Sequence, residues 1–548
     1  MDSKRGNLKF SVTMLVFRLR NNGFAALGRG FVPWILTCVL AVSLAGCGGI
    51  GKSTASPANQ AVAATGDDAS PDSEQTLFTE TYESIIEYHI DLASADAVAT
   101  SSLAKLTSFD SSLAVERTGG SVILHRGVQS WSFPAPPPFD SAAWGRLTVQ
   151  IIDAARQASS ELAQVPADRL DEAVIGTGLA SLDPFSHYAR PEVAREWRAA
   201  RDGFNGIGVV LDGHDGVSIT QVMDDSPAAK AGIRIDDRIV ALDGVPSSTL
   251  TPDEVRQRLL GPASSVVVLG IQRAGLDHPM TLSLKRTHLV PPSVSLTEDG
   301  DVAVFKISSF NQETGQSLDE LLHKAHHDLG PAMKGIVLDL RDNPGGLLDQ
   351  SIDVAGQFLD GGTIVTTIGR NPSSFQYFAA PANHHPETLP VAVLVNGGSA
   401  SASEIVAAAL QDSGRAVVIG TSSYGKGTVQ TVLRTSNDGE LTVTWAQLVP
   451  PQGYFLNHHG VVPTVCTSTL GDGADATAVL ADSPSPELMK SRIGLDDEGW
   501  SALRALCPAQ RADNAIDLSI ARRMLENRTQ YSRLLKTPPT NLAHNFSN

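Results

Sequence analysis

The sequence predicts a multidomain α/β protein, and three observations support this fold class. The chain has 548 residues, and because a domain usually has about 100–200 residues, this length indicates several domains. Apolar strands alternate with helical stretches from Asp301 to about Val465, as in α/β layer architectures. Between Gly203 and Arg286 the pattern changes to short β-branched runs separated by Gly and Asp, which indicates a separate compact domain.

Residues 1–46 have the pattern of an export signal. Basic residues precede an apolar run from Phe31 to Gly46, which is short for a transmembrane span. The run ends in Leu-Ala-Gly-Cys47, which resembles the lipobox of bacterial lipoproteins, where the cysteine carries lipid. The alternative is an ordinary signal peptide. Residues 47–76 are rich in Gly, Ser, Ala and Pro, so we expect a flexible linker behind a lipidated Cys47.

Charge and cysteine content exclude several classes of protein. The formal net charge of −17 argues against nucleic-acid binding through Lys and Arg. Four cysteines (Cys38, Cys47, Cys466 and Cys507) are too few for a disulfide scaffold, and none forms a C-x-x-C pair typical of structural zinc. In an oxidising periplasm Cys466 and Cys507 could pair, but the sequence leaves this open.

The remaining chain divides by pattern. Apolar residues near helical spacing follow Tyr82 and Trp144, with a Pro-rich loop between them, so the first part is expected to be mainly helical. The tail has helical runs near 485–506 and 513–528 and no chemical motif. The predicted boundaries are an N-terminal helical region at 77–202, a small domain at 203–288, an α/β core at 289–466 and a helical C-terminal extension at 467–548.

A first candidate for chemistry is Ser401. The apolar run that starts at Val391 predicts a buried strand, a Gly-Gly-Ser turn follows, and a helix begins near Ser401. A serine in the first turn of such a helix faces unpaired backbone N–H groups and the positive end of the helix dipole, which suits an oxyanion. The alternative is purely structural, because Ser401-x-x-Glu404 is also a capping box.

A second candidate is Lys426, which lies between two glycines after another predicted strand. The segment nearly matches a P-loop, but Gly427 stands where a Ser or Thr would bind magnesium, so nucleotide binding is disfavoured. A lysine pushed into an apolar space has a lowered pKa and can act as a neutral base. The alternative is a solvated turn lysine.

A third candidate is the turn Arg341-Asp-Asn-Pro-Gly345-Gly346, which again joins a strand to a helix. Two glycines let backbone N–H groups approach a substrate closely. The alternative is an ordinary strand-to-helix connection.

In order, these turns match D-L-R-x-N-x-G-G, N-x-x-S-A-S-A-S-E and G-x-x-x-[YF]-G-K-G-x-V-Q. They resemble the C-terminal processing, or tail-specific, proteases, a serine peptidase family with a Ser/Lys dyad and an embedded PDZ domain. The resemblance implies that Ser401 is the nucleophile, Lys426 the general base and Gln430 the residue that orients the lysine. It also implies oxyanion donors at the backbone N–H of Ala402 and of Gly345 or its neighbour Gly346.

The spacing between Lys426 and Gln430 carries a structural condition. Residues four positions apart meet on a helical turn but lie about 13 Å apart along a strand. A direct contact between these two side chains therefore requires a turn of helix at this point.

The small domain at 203–288 resembles a PDZ domain. Phe204-Asn-Gly206-Ile207-Gly208 is similar to its carboxylate-binding loop, and two later segments, Ser226 to Gly232 and Asp237 to Gly244, are similar to its core signature. PDZ domains bind peptide C-termini by strand addition. The alternative is a PDZ-like fold with an unused groove.

Two further segments bear on the resemblance. Residues 178–188 are similar to an entry segment of the same family, G-x-x-x-L-D-P-x-S-x-[YF]. Residues 451–455 and 462–464 depart from the usual P-S-G-x-x-I and I-P-D patterns, which leaves the substrate preference open.

Histidine clusters could suggest a metal, but no carboxylate pattern completes a site. His323, His326 and His327 share a predicted helical face, whereas His384, His385, His458 and His459 fall in loops. We expect solvated surfaces at all of them.

These observations predict a lipid-anchored periplasmic serine endopeptidase that binds protein C-terminal tails through its PDZ domain and needs no cofactor or metal. Its expected partners are protein substrates with accessible C-termini and the membrane, and not nucleic acid. The sequence does not fix an oligomeric state or a need for an adaptor protein. The alternative is a PDZ scaffold lipoprotein that binds C-termini without catalysis.

Overall fold

The computed structural model describes residues 71–212, 214–382, 385–471, 473–483, 488, 492, 494–511 and 515–535. The predicted signal segment, Cys47 and His384 lie outside these residues. Among the described helices, none has the length and apolar character needed to cross a bilayer.

The N-terminal region is mainly helical, as its apolar spacing predicts, but it also contains one small sheet that this spacing does not predict. Its first helix begins at Pro71, before the linker boundary expected at 76, because proline suits the first turn of a helix. The strands of the sheet alternate buried and exposed residues around a Gly119-Gly120 turn and form an antiparallel meander. The elements are α1 (Pro71–Tyr88), α2 (Ala95–Leu103), β1 (Leu113–Thr118), β2 (Ser121–Arg126), β3 (Gln129–Pro134), α3 (Ser141–Ala158), α4 (Ser160–Ala163) and α5 (Ala167–Ala180).

A short connection then leads to the PDZ domain. It consists of β4 (His187–Ala189), which pairs with a strand of the protease core, and α6 (Pro191–Asp202). The pairing ties the N-terminal region to the core.

The PDZ domain is a small β-rich unit around its own apolar core, which includes Ile207, Ile239 and Leu269. Its main sheet has the order β11-β10-β8-β9, and the pairing of its first and last strands closes the domain. The elements are β5 (Phe204–Gly206), β6 (Val209–Leu211), β7 (Ile219–Val222), α7 (Pro227–Lys230), β8 (Arg238–Leu242), β9 (Val245–Pro246), α8 (Pro252–Leu259), β10 (Val266–Gln272), β11 (Met280–Lys285) and β12 (Thr287–Leu289).

The core contains a six-stranded sheet in the order β13-β14-β15-β18-β19-β22, parallel from β14 onward. A second sheet has the order β17-β16-β21-β20, with β4 added to β21. The elements are β13 (Val294–Asp299), β14 (Val302–Ile307), α9 (Thr314–Leu329), β15 (Gly335–Asp339), α10 (Leu348–Gly356), β16 (Thr363–Ile368), β17 (Gln376–Ala379), β18 (Val391–Val395), α11 (Ala402–Asp412), β19 (Ala416–Gly420), β20 (Thr428–Arg434), β21 (Glu440–Val449) and β22 (Val465–Cys466).

The C-terminal extension covers one face of the parallel sheet. Its helices are α12 (Ala476–Asp482), α13 (Asp497–Ala505), α14 (Ala515–Glu526) and α15 (Arg528–Leu534). Ile520 and Met524 of α14 are fully buried against strand residues such as Leu394, while helices α9 to α11 pack on the opposite face. A parallel sheet needs cover on both faces, so the extension completes the core. The pairing that the sequence left open is formed as a disulfide between Cys466 and Cys507.

Three neighbouring parallel strands carry the three glycine turns. Strands β15, β18 and β19 lie side by side and end at Asp339, Val395 and Gly420. Because the carboxyl ends of parallel strands share one edge of the sheet, the turns after them meet there.

Candidate active site

Ser401 lies in a strained turn at the start of a buried helix. All five residues of β18 are buried, and Ser401 caps α11 with φ +56° and ψ −116°. This backbone region is uncommon for a residue other than glycine and costs on the order of 1–3 kcal/mol. The hydroxyl of Ser399 donates to the carbonyl of Leu340 at 2.8 Å and fixes the turn to the neighbouring strand end.

Glu404 joins the serine turn to the lysine turn. Its side chain is completely buried and accepts hydrogen bonds from the backbone N–H groups of Ser401 at 2.8 Å, Gly425 at 2.7 Å and Lys426 at 2.9 Å. The hydroxyl of Ser423 donates to the same carboxylate at 2.5 Å. Burial raises the pKa of Glu404, against the lowering effect of these bonds. The glutamate of the capping box therefore does more than cap a helix, because it fixes two turns that lie far apart in sequence.

Lys426 is half-buried beneath an aromatic ring. Its Nζ lies 5.1 Å from the centroid of Phe185, which belongs to the N-terminal region. Burial lowers the pKa of Lys426, while the negative charges of Glu404 and Asp183 oppose that shift. The N–H of Tyr424 donates to the carbonyl of Ser399 at 2.9 Å, which keeps the lysine turn beside the serine turn.

Asp183 fixes the segment that carries Phe185. It accepts hydrogen bonds from His89 Nε2 at 3.1 Å, from the Thr444 hydroxyl at 2.9 Å and from the Ser186 hydroxyl at 2.5 Å. Burial raises the pKa of Asp183, but these hydrogen bonds outweigh it and hold the pKa below its usual range. An ionised Asp183 thus anchors the ring over the lysine.

The third glycine turn lies directly against the serine. Gly345 has φ +104°, and a Cβ at this position would lie 2.8 Å from Ser401 Cβ and 3.0 Å from Ala402 N. Only glycine fits this combination of backbone conformation and close approach.

The three backbone N–H groups predicted as oxyanion donors differ in whether another residue already accepts them. The N–H of Gly345 already donates to the Oδ1 of Asn343 at 2.9 Å, and Asn343 is fully buried. In the described part of the chain, the N–H groups of Gly346 and Ala402 donate to no other residue. The structure therefore removes Gly345 from the expected donors and leaves Gly346 and Ala402.

Gln430 is not placed as a direct partner of Lys426. No helical turn forms between them, because Gln430 belongs to β20, an extended strand. Its Nε2 instead donates to the hydroxyls of Thr428 at 2.9 Å and Thr444 at 3.3 Å. The helical turn that a direct contact with Lys426 requires is therefore not formed. Among the described residues, no hydrogen bond joins Gln430 to Lys426, and the hydroxyl of Thr444 connects Gln430 to Asp183.

The predicted carboxylate loop of the PDZ domain lies between β5 and β6. Ile207 is buried, and Gly208 has φ +82° with Ser226 so close that a Cβ would lie 2.3 Å from it. The N–H of Ala228 donates to the Ile207 carbonyl at 2.9 Å and anchors the loop. Among the described residues, none accepts the N–H groups of Ile207 and Gly208, which leaves two donors for a carboxylate.

The histidine clusters lie away from the three turns, with one exception. His323, His326 and His327 of α9 each approach a carboxylate on the protein surface. His385 is exposed in a loop. His458 adjoins the lysine turn through its N–H, which donates to the Gly425 carbonyl at 2.9 Å. In the ranges that the structure describes, no group of three or more possible metal ligands is found.

Four residues of this site were not assigned a role from the sequence: Glu404, Phe185, Asp183 and Asn343. Glu404 was visible only as a helix cap, and Phe185 and Asp183 only as part of a family-like segment. Their proximity to Lys426 depends on the packing of the N-terminal region and could not be inferred from spacing.

The fold and the site define a serine-type peptidase with an embedded PDZ domain. A model of peptidase family S41 matches residues 301–467, and a PDZ domain model matches residues 218–273. A carboxy-terminal-processing protease of Bartonella bacilliformis is 38% identical over 305 residues, which cover 55% of this chain and 70% of that protein. The chain belongs to the carboxy-terminal-processing proteases of this family, as the resemblance predicted.

Other proteases are also similar to this chain. A CtpA-like serine protease of Staphylococcus aureus is 33% identical over 308 residues, covering 55% of this chain and 61% of the relative. Among solved structures, the photosystem II D1 C-terminal processing protease is 25% identical with a TM-score of 0.36, covering 71% of this chain and 92% of that one.

Proposed function

We propose that this protein is an endopeptidase that cleaves proteins with a dyad of Ser401 and Lys426. The observation that carries the proposal is the set of bonds to Glu404, since one buried carboxylate binds the backbone N–H of both residues. A dyad requires nucleophile and base to be held in a fixed relation, and the shared carboxylate supports this by binding the backbone of both residues. The burial that lowers the pKa of Lys426 supports its role as a neutral base.

The catalytic cycle follows from the arrangement. The Oγ of Ser401 attacks the peptide carbonyl carbon while neutral Lys426 takes the hydroxyl proton. The N–H groups of Ala402 and Gly346 receive the oxyanion of the tetrahedral intermediate. The protonated lysine then gives its proton to the leaving amine, and water hydrolyses the acyl-enzyme by the same route. Gln430 supports the lysine indirectly, through the hydroxyl of Thr444 and Asp183.

The PDZ domain is proposed to select substrates by their C-terminal tails. The free N–H groups of Ile207 and Gly208 suit a terminal carboxylate, and the adjacent strand β6 suits pairing with an extended peptide. Among solved structures, the PDZ domain of a Vibrio cholerae carboxy-terminal protease is described as a complex with peptide; it is 28% identical, with a TM-score of 0.15, and the match covers 16% of this chain and 96% of that one.

We further propose that the mature protein is a periplasmic lipoprotein held to the membrane through Cys47. The proposal is supported by the lipobox-like Leu-Ala-Gly-Cys47 sequence after a short apolar run. The intervening residues would let the peptidase reach substrates away from the membrane surface.

The rival function is a PDZ scaffold without catalysis. A scaffold would have no use for the strained backbone of Ser401 or for a half-buried lysine whose turn is bound to the same carboxylate. The peptidase is therefore the better-supported function.

Digestion of a model protein with and without an apolar C-terminal tail tests the proposal. Wild type should degrade the tailed protein, and Ser401→Ala, Lys426→Ala and Lys426→Arg should each retain below about 1% of that rate. Lys426→Arg keeps the charge, but a guanidinium does not deprotonate in proteins. Lys324→Arg, an exposed helical lysine, serves as the matched control and should remain active. An active Lys426→Arg enzyme would move the general base elsewhere.

A further inference from the structure

The C-terminal extension reaches the catalytic turns, although its sequence has no chemical motif. It is joined to the end of β22 by the Cys466–Cys507 disulfide, whose Cα atoms lie 5.8 Å apart. Helix α13 precedes this link, and the segment up to Arg511 follows it. Most of the extension lies beyond the residues matched by the peptidase family model.

Arg504 of α13 donates to the carbonyls of two segments around the site. Its Nη2 donates to Ser423 at 3.0 Å, and its Nη1 donates to His459 at 2.5 Å. Ser423 is the residue whose hydroxyl donates to Glu404. The arginine therefore fixes the backbone that leads into Lys426 from the side of the extension.

Arg504 and Glu404 approach the same point of the structure, at Gly460. A Cβ on Gly460 would lie 2.9 Å from Arg504 Nη1, 3.0 Å from Glu404 Oε1 and 2.7 Å from the Ser423 hydroxyl. Gly460 also has φ +62°, so the position suits glycine in both space and conformation. No ion pair joins the two charges directly in the described part of the chain, yet they face each other across this one residue.

The extension holds the strand ends as well. The N–H of Gly397, which starts the serine turn, donates to the carbonyl of Gln510 at 2.6 Å. The N–H of Gln510 donates to the hydroxyl of Thr421, which starts the lysine segment, at 3.1 Å. Both catalytic turns are thus braced from the extension.

The charges around Lys426 come from three parts of the chain. Glu404 from α11 and Asp183 from the N-terminal region are negative and favour a protonated lysine. The negative charge of Asp183 faces His89, which is bonded to it. Besides Lys426, the charge of Glu404 also acts on Arg504 of α13. The nearby His459 faces Asp497. Without Arg504, no positive charge of the extension would offset the negative charge of Glu404, which favours the protonated form of Lys426.

We propose that Arg504 is a positioning residue of the catalytic centre, which holds the lysine turn through Ser423 and offsets the charge of Glu404. The inference rests on the proposed Ser401–Lys426 dyad. It gives the C-terminal extension a role in catalysis that is separate from its packing against the sheet.

The pH dependence of kcat/KM for a fluorogenic peptide distinguishes this role from a merely structural one. Arg504→Gln in the full chain should move the rising limb to higher pH by about half to one unit, because Lys426 would then be harder to deprotonate. It should also lower the rate at neutral pH about 3- to 10-fold. Arg504→Lys keeps the charge and should restore the wild-type limb. Arg511→Gln, an exposed arginine of the same extension, is the matched control and should change neither quantity.

Glu404→Gln provides a second measurement should Arg504→Gln fail to fold. Removing the negative charge should move the limb to lower pH. An unchanged limb in either folded variant would overturn the inference.

Labelling of Ser401 by a fluorophosphonate separates the failure of this inference from the failure of the dyad. A wild-type enzyme that neither labels nor cleaves would contradict the proposed function itself. A wild-type enzyme that labels normally, with an unmoved limb in Arg504→Gln, would contradict only the role of Arg504.

Discussion

The ring of Phe185 lies over the amino group of Lys426, with 5.1 Å between the ring centroid and Nζ. Two opposite effects follow from this contact. The ring excludes water, which favours the neutral lysine, while its negative face attracts the charged lysine. The protonation state of the proposed base therefore depends on a residue of the N-terminal region, more than two hundred positions away in the sequence.

Two substitutions at Phe185 should separate these effects. Phe185→Leu keeps an apolar cover but removes the aromatic face, so the pKa of Lys426 should fall further and the rising limb of the rate should move to lower pH. A cation–π contribution of about 1 kcal/mol corresponds to roughly 0.7 pH unit. Phe185→Ala admits water and should move the limb to higher pH. The measurement is the pH profile of kcat/KM.

The sign of the expected profile follows from the lowered pKa of Lys426. Neutral lysine is the active form, so the rate rises with pH until the lowered pKa is passed and then levels. Profiles of both Phe185 variants that coincide with wild type would show that the ring does not control the base. Trp197→Leu, a partly exposed aromatic change in the same region, is a suitable control.

Gly345→Ala should abolish most activity without unfolding the protein. A methyl group there would lie 2.8 Å from Ser401 Cβ, and φ +104° is itself strained for alanine. Displacing the serine or the Gly346 donor should lower kcat by about 100-fold or more. The measurement is kcat together with the rate of fluorophosphonate labelling.

Gly330→Ala is the matched control for that variant. Gly330 also has a positive φ of +53°, but a Cβ there meets nothing within 4 Å. It should lose some stability and keep its activity. Equal losses of activity in the two variants would contradict a special role for the contact between Gly345 and Ser401.

Cys47→Ser should release the protein from membranes into the soluble fraction. The apolar run before Cys47 is expected to be removed with the signal segment, so lipid on the cysteine would be the remaining anchor. Fractionation and mass spectrometry of the N-terminus check this. A variant that still sediments with membranes and retains residues 31–46 would indicate an uncleaved anchor instead.

The three glycine turns could be predicted from the sequence because each is a local pattern of an apolar strand followed by glycines. Local pattern also located the PDZ domain and the alternation of strands and helices in the core. Register on the sheet then brings Gly345, Ser401 and Lys426 together, since β15, β18 and β19 are neighbours.

The contacts of the site that could not be predicted from the sequence depend on long-range packing. A direct contact between Lys426 and Gln430 would need a helical turn, but strand pairing with β21 holds Gln430 extended. Gly345 and its neighbour Gly346 were alternatives for the second oxyanion donor, and the buried Asn343 accepts the Gly345 N–H. Glu404, Phe185 and Arg504 reach the site from three different parts of the chain, and no local sequence pattern predicts that they lie close together.

A pair of buried carboxylates in the N-terminal region predicts a stability that falls as pH rises. Asp171 of α5 and Glu74 of α1 are 6% and 9% exposed, and neither forms an ion pair within the described residues. Burial, with the charge of Glu74 added, raises the pKa of Asp171 to about 7. Burial likewise raises the pKa of Glu74.

The direction of this pH dependence follows from proton binding. The unfolded chain releases the Asp171 proton near its ordinary pKa of about 3.9, whereas the folded region keeps it up to about 7. Between these values the folded state binds more protons, so its stability decreases with rising pH and stays reduced above pH 7. Near pH 4 the penalty is absent.

Asp171→Asn should therefore stabilise the contact between α1 and α5 more strongly at pH 8 than at pH 5, because the penalty begins near pH 4 and grows until about pH 7. Hydrogen exchange measures this locally in peptides from Pro71–Tyr88 and Ala167–Ala180, after correction for the intrinsic pH dependence of exchange. Wild type should exchange faster at pH 8 than at pH 5, and the variant should slow the exchange more at pH 8 than at pH 5. Glu83→Gln, at an exposed carboxylate on α1, is the control and should alter neither. Equal protection of wild type at both pH values would mean that Asp171 is ionised in the folded protein without penalty.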